Sequence, residues 1–382
     1  MRIGKIDPVR VLITTSPGLG HLFPLVPLAW ALRSQGHQVL VASTGGAVPA
    51  AVAAGLPAVD VAPGANVQQI FLHFARFPAR TSDPGAANPV RESAAMFARV
   101  SDVTVDGLLD VARAWRPHLV VHSLFQGAGP LVAARLGVPA VQHGIALTGD
   151  TTAGELLRRH MADSYRRHGV TGAPPALLTV AVAPPSMRVG DPADRQIRYV
   201  PYNAGGELPE WLWTPRERPR VAVTLGTVVP RLSGWDTLRT LLAAAGEVDA
   251  EFVLVLGEHG TPSPDLLPGN VRTAGWIPLN ALLPVCDAVI HHGGAGTLMA
   301  AVCAGVPQLV LPHGADQFRN AQAVQERGVG LVSSPQQADA ALVERLLADH
   351  TLRRAAEQVR AEVEALPSPA DLVPELVALT ER

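Results

Sequence analysis

The stretch His292-Gly293-Gly294-Ala295-Gly296-Thr297 is the part of this chain best suited to hold a charged group. Glycines let backbone N–H groups approach an anion closely, and a helix opening at Gly296 or Thr297 turns its positive dipole end to the same spot. The spacing therefore predicts a phosphate cradle, with the His292 ring or backbone as a further hydrogen-bonding group. Thr297 adds a hydroxyl and an N–H, and serves equally well as an ordinary N-cap. Upstream, Trp276 offers a flat face to a pyrimidine base, with the Ile277 backbone beside it for the base edge. A single tryptophan is as readily a core residue. Downstream, Asp316 and Gln317 supply a carboxylate and an amide that suit paired sugar hydroxyls, or form the solvated tip of a loop. A second candidate centre is His21, which follows Gly18 and Gly20. An imidazole at a helix start stays neutral because the dipole disfavours its charged form, which suits a general base near neutral pH. A capping or surface histidine also accounts for it.

These groups need elements to hold them. Val9 to Thr15 reads as an apolar strand, Ser16 to His21 as a glycine turn, Leu22 to Ser34 as a helix closed by Gly36, and Gln38 to Ala42 as a strand. This is a βαβ opening of Rossmann type. The dinucleotide fingerprint is incomplete, because Gly18-x-Gly20 is followed by Phe23 in place of a third glycine and no acidic residue ends the second strand. Ala54-Gly-Leu-Pro57, Leu136-Gly-Val-Pro139 and Ala304-Gly-Val-Pro307 repeat one punctuation, a glycine past a helix and a proline before a strand, as expected of successive αβ units in a parallel sheet. The alternation breaks between Asn66 and Asn88, an insertion at the mouth of the first domain carrying Phe71, Phe74 and Phe77. Their spacing suits a helix core, and an apolar ligand wall as well.

Tyr199 to Arg220 has no periodicity and reads as an interdomain linker. A second Rossmann-like half starts with the strand Val221 to Leu225 and continues through Ala288 to Ile290 and Gln308 to Leu311. The expected organisation is an N-terminal domain over 1–200, a linker over 201–219, a C-terminal domain over 220–368 and a final helix within 369–382.

At 382 residues the chain has room for two domains, and its 48% hydrophobic content contains no apolar run near the length of a membrane span. The N-terminus lacks an apolar signal-peptide core, so a cytoplasmic protein is expected. A net charge of −2 gives no footprint for nucleic acid or an anionic membrane. Lys5 is the only lysine among 31 basic residues and is followed by Ile6, which excludes P-loop chemistry. Cys286 and Cys303 read as buried free thiols. No Asp-x-Asp pair or metal-spaced His/Cys set is present, so neither metal nor cofactor is expected.

The order Trp276, His292 to Thr297, Asp316-Gln317 closely resembles the donor-binding segment of inverting nucleotide-sugar glycosyltransferases of the GT-B architecture. Gly20-His21-x-x-Pro24-x-x-Pro27-Leu-Ala resembles their segment carrying the catalytic histidine. Within that group the chain is similar to bacterial enzymes that decorate antibiotic and other natural-product aglycones. The resemblance implies an α/β fold of two Rossmann-like domains facing across a cleft, with the last helix returning to the first domain. It implies His21 as the base, and His292, Gly293, Gly294, Gly296 and Thr297 on the donor phosphates. It also implies Thr227 on a second phosphate-side loop, Trp276 and Ile277 on the base, and Asp316 and Gln317 on the sugar. The partners are then a TDP- or UDP-activated hexose or deoxyhexose and a small-molecule aglycone in the first domain, for which Phe71, Phe74 and Phe77 are wall candidates. The sequence does not define the oligomeric state and leaves room for a homodimer.

One departure matters. Many relatives carry an acidic residue that orients the base histidine near the strand Leu119 to Ser123, and here that strand ends in His122-Ser123. No carboxylate follows until Asp150; either the partner comes from elsewhere, with Asp102 and Asp106 as distant candidates, or the acceptor's proton is acidic enough not to need one. Three rival readings remain: a nucleotide-sugar 2-epimerase, a non-catalytic partner of another transferase, and a dinucleotide oxidoreductase.

Overall fold

The computed structural model describes residues 7–67, 69–71, 89–149, 151–226, 236–257, 267–314 and 316–381, with the backbone course alone for 89–92, 148, 151–152 and 236–238. The chain divides into two compact units, Met1–Val182 with Val189–Arg198 and Leu366–Arg382, and Ala183–Arg188 with Tyr199–Ala365.

The first unit holds a seven-stranded parallel sheet. Its strands are β1 (Arg10–Thr14), β2 (Gln38–Ser43), β3 (Ala58–Asp60), β4 (Leu119–Ser123), β5 (Ala140–His143), β6 (Leu177–Ala181) and β7 (Arg195–Gln196), in the order β3-β2-β1-β4-β5-β6-β7. The central strands are continuous apolar runs such as Arg-Val-Leu-Ile-Thr and Leu-Val-Val-His-Ser, the pattern of strands covered on both faces. Leu12, Val120 and Ala140 pack beneath Leu108, Leu109 and Leu131 of the covering helices.

The stretch expected as one helix from Leu22 to Ser34 is three pieces: α1 (Leu19–Leu22), a 3-10 turn (Phe23–Leu25) and α2 (Val26–Ser34). Pro24 and Pro27 bring no N–H and crowd the preceding turn, so the ladder cannot run through. Two further helices matter here, α3 (Pro89–Trp115) and α4 (Ala128–Leu136). The C-terminal helix Pro369–Leu379, opened by a Ser368–Asp371 capping box, lies in this unit, where Gln35 Nε2 donates to the Ala370 carbonyl at 2.9 Å.

The second unit holds a six-stranded parallel sheet of β8 (Arg220–Thr224), β9 (Glu251–Val255), β10 (Val271–Ala274), β11 (Ala288–His291), β12 (Gln308–Val310) and β13 (Gly330–Val332), in the order β10-β9-β8-β11-β12-β13. Helices α5 (Ala295–Ala304) and α6 (Gln317–Arg327) follow β11 and β12. The stretch 201–219, read from sequence as a linker, belongs to this unit. Leu212 is buried in its core, and the Trp211 ring lies 5.0 Å from the Arg220 guanidinium and 4.9 Å from that of Arg272. Tyr202 and Leu212 bury apolar area and the Trp211 ring faces two cations, which ties the strap down.

In each sheet the strand order reverses once, between β1 and β4 and between β8 and β11. Such switch points open a crevice at the carboxyl ends of the strands. Both candidate centres follow those strands. Among the described residues no helix is long and apolar enough to cross a membrane.

Candidate active site

In the second unit, β11 delivers two histidines with different surroundings. His291 is fully buried, its Nε2 lies 2.8 Å from Gln308 Oε1, and its Nδ1 accepts the Gly293 N–H at 3.1 Å. That pair of bonds assigns the ring proton to Nε2. The Gly293 N–H is thereby committed and does not face a ligand. Gly293 adopts φ +88°, and a Cβ there would meet Val310 Cγ1 at 2.9 Å. Its glycine is a requirement of the turn.

The His292 ring lies against Gly226 and Gly294. A Cβ on Gly226 would sit 2.5 Å from His292 Cε1, and one on Gly294 2.3 Å from Nε2. Burial pushes the His292 pKa down to about 3, with His291 and His313 adding to the effect and a hydrogen bond to the Thr224 backbone opposing it. Its Nδ1 is buried and has no hydrogen-bond partner among the described residues.

Helix α5 starts at Ala295, one or two residues earlier than the glycine spacing suggests, with Gly294 as N-cap and no side chain closing the end. The N–H groups of Ala295, Gly296 and Thr297 therefore have no intrahelical acceptor. A Cβ on Gly296 would meet nothing within 4 Å, so space is open at the helix start.

Asp316 and Gln317 were expected in a loop. They instead open α6, Asp316 as N-cap and Gln317 as the first helical residue. Gln317 Oε1 accepts from the N–H groups of His313 at 2.8 Å and Gly314 at 3.3 Å, so its carbonyl is spent on the loop and its NH₂ is what it can still offer. Asp316 keeps solvent-facing surface, yet the protein around its carboxyl raises its pKa by desolvation, against donation from Asn320.

Trp276 is 40% exposed, with its indole N–H donating to the Asn203 carbonyl at 3.2 Å, while the Ile277 side chain is buried in the core. Thr227 lies outside the described residues.

In the first unit, His21 closes the single turn of α1, against aromatic rings. Its centroid lies 4.9 Å from that of Phe97 and 6.3 Å from that of Phe125; Phe97 and Phe125 stack at 5.0 Å, and Phe71 meets Phe97 at 6.0 Å. Burial lowers the His21 pKa to about 4. Desolvation, not a helix dipole, keeps the ring neutral, because His21 sits at the carboxyl end of a four-residue helix. Its Nδ1 is buried without a partner among the described residues, and Asp150 lies outside them. Asp102 and Asp106 do not supply one, since Asp102 accepts from Ser164 and pairs with Arg167 while Asp106 lies 2.9 Å from His168. Phe97, from α3, and Phe125, just past β4, are the site residues that sequence reasoning missed. Phe74 and Phe77 lie outside the described residues.

Two family models, the N-terminal and C-terminal domains of erythromycin biosynthesis protein CIII-like proteins, match residues 30–226 and 239–379. The chain belongs to that family. Elloramycin glycosyltransferase ElmGT of Streptomyces olivaceus is 38% identical over 378 residues, covering 96% of this chain and 97% of the relative. The structure of the glycosyltransferase SnogD from Streptomyces nogalater superposes with a TM-score of 0.86 at 44% identity, covering 98% of this chain and all of that one (100%). The glycosyltransferase SsfS6 of Streptomyces sp. SF2575, complexed with thymidine diphosphate, gives a TM-score of 0.82 at 32% identity over 96% of this chain and 99% of the other. This member of the family is a natural-product glycosyltransferase, and its two parallel-sheet α/β domains are those of the GT-B fold. The relatives give no support to the epimerase reading.

Proposed function

We propose that this glycosyltransferase moves a hexose or deoxyhexose from a TDP- or UDP-sugar to an aromatic aglycone, with inversion at the anomeric carbon and without a metal ion. The observation that carries the donor half is the uncapped start of α5 beside the unpartnered His292 Nδ1. Three backbone N–H groups beside the open space at Gly296, backed by an imidazole packed on Gly226 and Gly294, suit a diphosphate, and they stabilise the charge that grows on it as the glycosidic bond breaks. The thymidine diphosphate bound by SsfS6 supports the same choice of ligand. In this reading Trp276 offers its exposed face to the base, Asp316 accepts from sugar hydroxyls, and Gln317 donates through its NH₂. Gly293 shapes the loop without touching the phosphates.

The acceptor half rests on His21. A neutral imidazole takes the proton of the attacking group as that group closes on the anomeric carbon from the face opposite the diphosphate. With no described residue on Nδ1 to stabilise the imidazolium, His21 is a weaker base than one backed by a carboxylate. Acceptors whose proton leaves readily fit such a base, and the rings of Phe71, Phe97 and Phe125 suit a planar aromatic body. Phenols, or activated rings attacked through carbon, satisfy both conditions.

Calorimetric titration with TDP and UDP, with and without a chelator, tests the donor half. Binding that survives chelation is expected, and its loss would sink the metal-free reading. Transfer assays on phenolic and aliphatic acceptors of similar size test the other half, which fails if the aliphatic alcohols react faster.

A further inference from the structure

A chain of side-chain hydrogen bonds runs behind the phosphate-facing loop, buried from Gln308 through His291 and Asn320 and ending at the exposed Asp316. Gln308 Oε1 meets His291 Nε2 at 2.8 Å, His291 Nδ1 accepts the Gly293 N–H at 3.1 Å, and Asn320 Nδ2 donates to the Gly293 carbonyl at 2.9 Å and to Asp316 Oδ2 at 3.1 Å. Gln308, His291 and Asn320 are each 2% exposed or less. Burying three polar side chains, two on sheet strands and one on α6, costs free energy unless each is paired, and apolar residues would fill those places more cheaply. Gln308 opens a strand whose other members are Leu309 and Val310. Two of the four bonds end on Gly293, one ends on Asp316, and the Gln308–His291 bond holds the ring that accepts from Gly293.

We propose that Gln308, His291 and Asn320 are positioning residues that hold Gly293 from both its N–H and its carbonyl, and that Asn320 locks the diphosphate loop to the sugar-facing carboxylate of Asp316. Gly293 leads directly into the uncapped helix start. Its placement therefore sets where the N–H groups of Ala295, Gly296 and Thr297 point. The two hydrogens of the Asn320 amide have one recipient in the phosphate loop and one in the sugar loop, so a single side chain fixes the spacing between the two recognition elements. Gln308 acts only on the first of them, through His291. The proposal rests on reading the start of α5 as the diphosphate site.

That asymmetry makes it testable with two probes, TDP and TDP-glucose, titrated into the wild-type protein and into Gln308→Met and Asn320→Ala well below each variant's melting temperature. Removing one buried partner and orphaning the other should weaken binding by roughly tenfold. Gln308→Met is expected to weaken TDP and TDP-glucose by the same factor. Asn320→Ala is expected to weaken both and to shift the ratio of the two Kd values against TDP-glucose, because Asp316 is released as well. Each variant decides independently, so failure of one to fold leaves the other as the test. Wild-type Kd values for both ligands in a variant whose only defect is a lower melting temperature overturn the proposal, since a purely structural role predicts that result. A wild-type protein that binds neither nucleotide overturns the donor-site reading and this proposal with it.

Discussion

The contact between Gly294 and the His292 ring can be tested apart from any contact with phosphate. Gly294 has φ −63° and ψ 137°, ordinary values for an alanine, so Gly294→Ala introduces no backbone strain. Its methyl would arrive 2.3 Å from His292 Nε2 and 2.8 Å from Cε1. Carbon and nitrogen in comfortable contact stay about 3.5 Å apart or more, so the ring must move by roughly 1 Å. Overpacking of this kind costs about 1–3 kcal/mol. Alanine is also a poorer N-cap than glycine, but that loss is the same whatever stands at 292. A double-mutant cycle with His292→Ala therefore isolates the collision. Gly294→Ala should destabilise the wild-type background by about 1–3 kcal/mol more than it does the His292→Ala background, read from urea unfolding midpoints. TDP affinity should follow the same pattern, dropping roughly tenfold or more with the ring present and little in its absence. Additivity within about 0.5 kcal/mol would refute the reasoning. Gly294 would then be required by the diphosphate's own approach to the backbone.

His21→Ala should lower turnover by about 10²–10⁴-fold while leaving TDP affinity unchanged, and raising pH should partly restore it with phenolic acceptors alone; full activity in the variant would remove His21 as the base. His21, His122, His143 and His291 are held neutral by burial with pKa values down to about 4, and His292 to about 3, against an ordinary 6.5. The unfolded chain therefore binds more protons below about pH 6.5, and stability should fall as pH drops toward 4, with a limiting slope of about 1.4 kcal/mol per pH unit for each histidine. Urea midpoints that are equal or higher at about pH 5.5 than at about pH 7.5 would contradict this. Trp276→Ala should weaken TDP by about 1 kcal/mol or more with little change in melting temperature, since the indole is 40% exposed; the reverse pattern would make it a packing residue.

The parallel-sheet architecture and the glycine-lined helix start were legible because they rest on local signals. Apolar runs, Gly-x-Pro punctuation and Gly-Gly-x-Gly-Thr each act within a few residues. The break at Pro24 and Pro27 was local too, and the apolar periodicity of Leu22 to Ser34 masked it. Other parts depend on partners far apart in sequence. Phe97 and Phe125 reach His21 from 76 and 104 positions away, brought there by α3 and β4. Gln308 lies 17 residues from His291 and Asn320 lies 27 from Gly293, and no periodicity encodes those pairings. The Asp316-x-x-x-Asn320 spacing was a usable hint, since residues four apart share a helix face. The reason for His21's neutrality was misassigned because sequence shows proximity to a helix but not depth of burial.

Among the described residues, the His21 ring is positioned by shape alone. Dispersion and edge-to-face attraction from Phe97 and Phe125 fix its plane loosely, whereas a carboxylate bonded to Nδ1 would fix its azimuth and its tautomer together. A ring held this way can pivot by some degrees, or exchange which nitrogen carries the proton, at little energetic cost. In the proposed base role, the line along which a proton is collected is then set by the incoming molecule as much as by the protein. Such a centre gives up some rate on any one acceptor and gains breadth over acceptors of different outline. Installing a carboxylate within reach of Nδ1 would narrow that breadth as it raised the basicity of the ring.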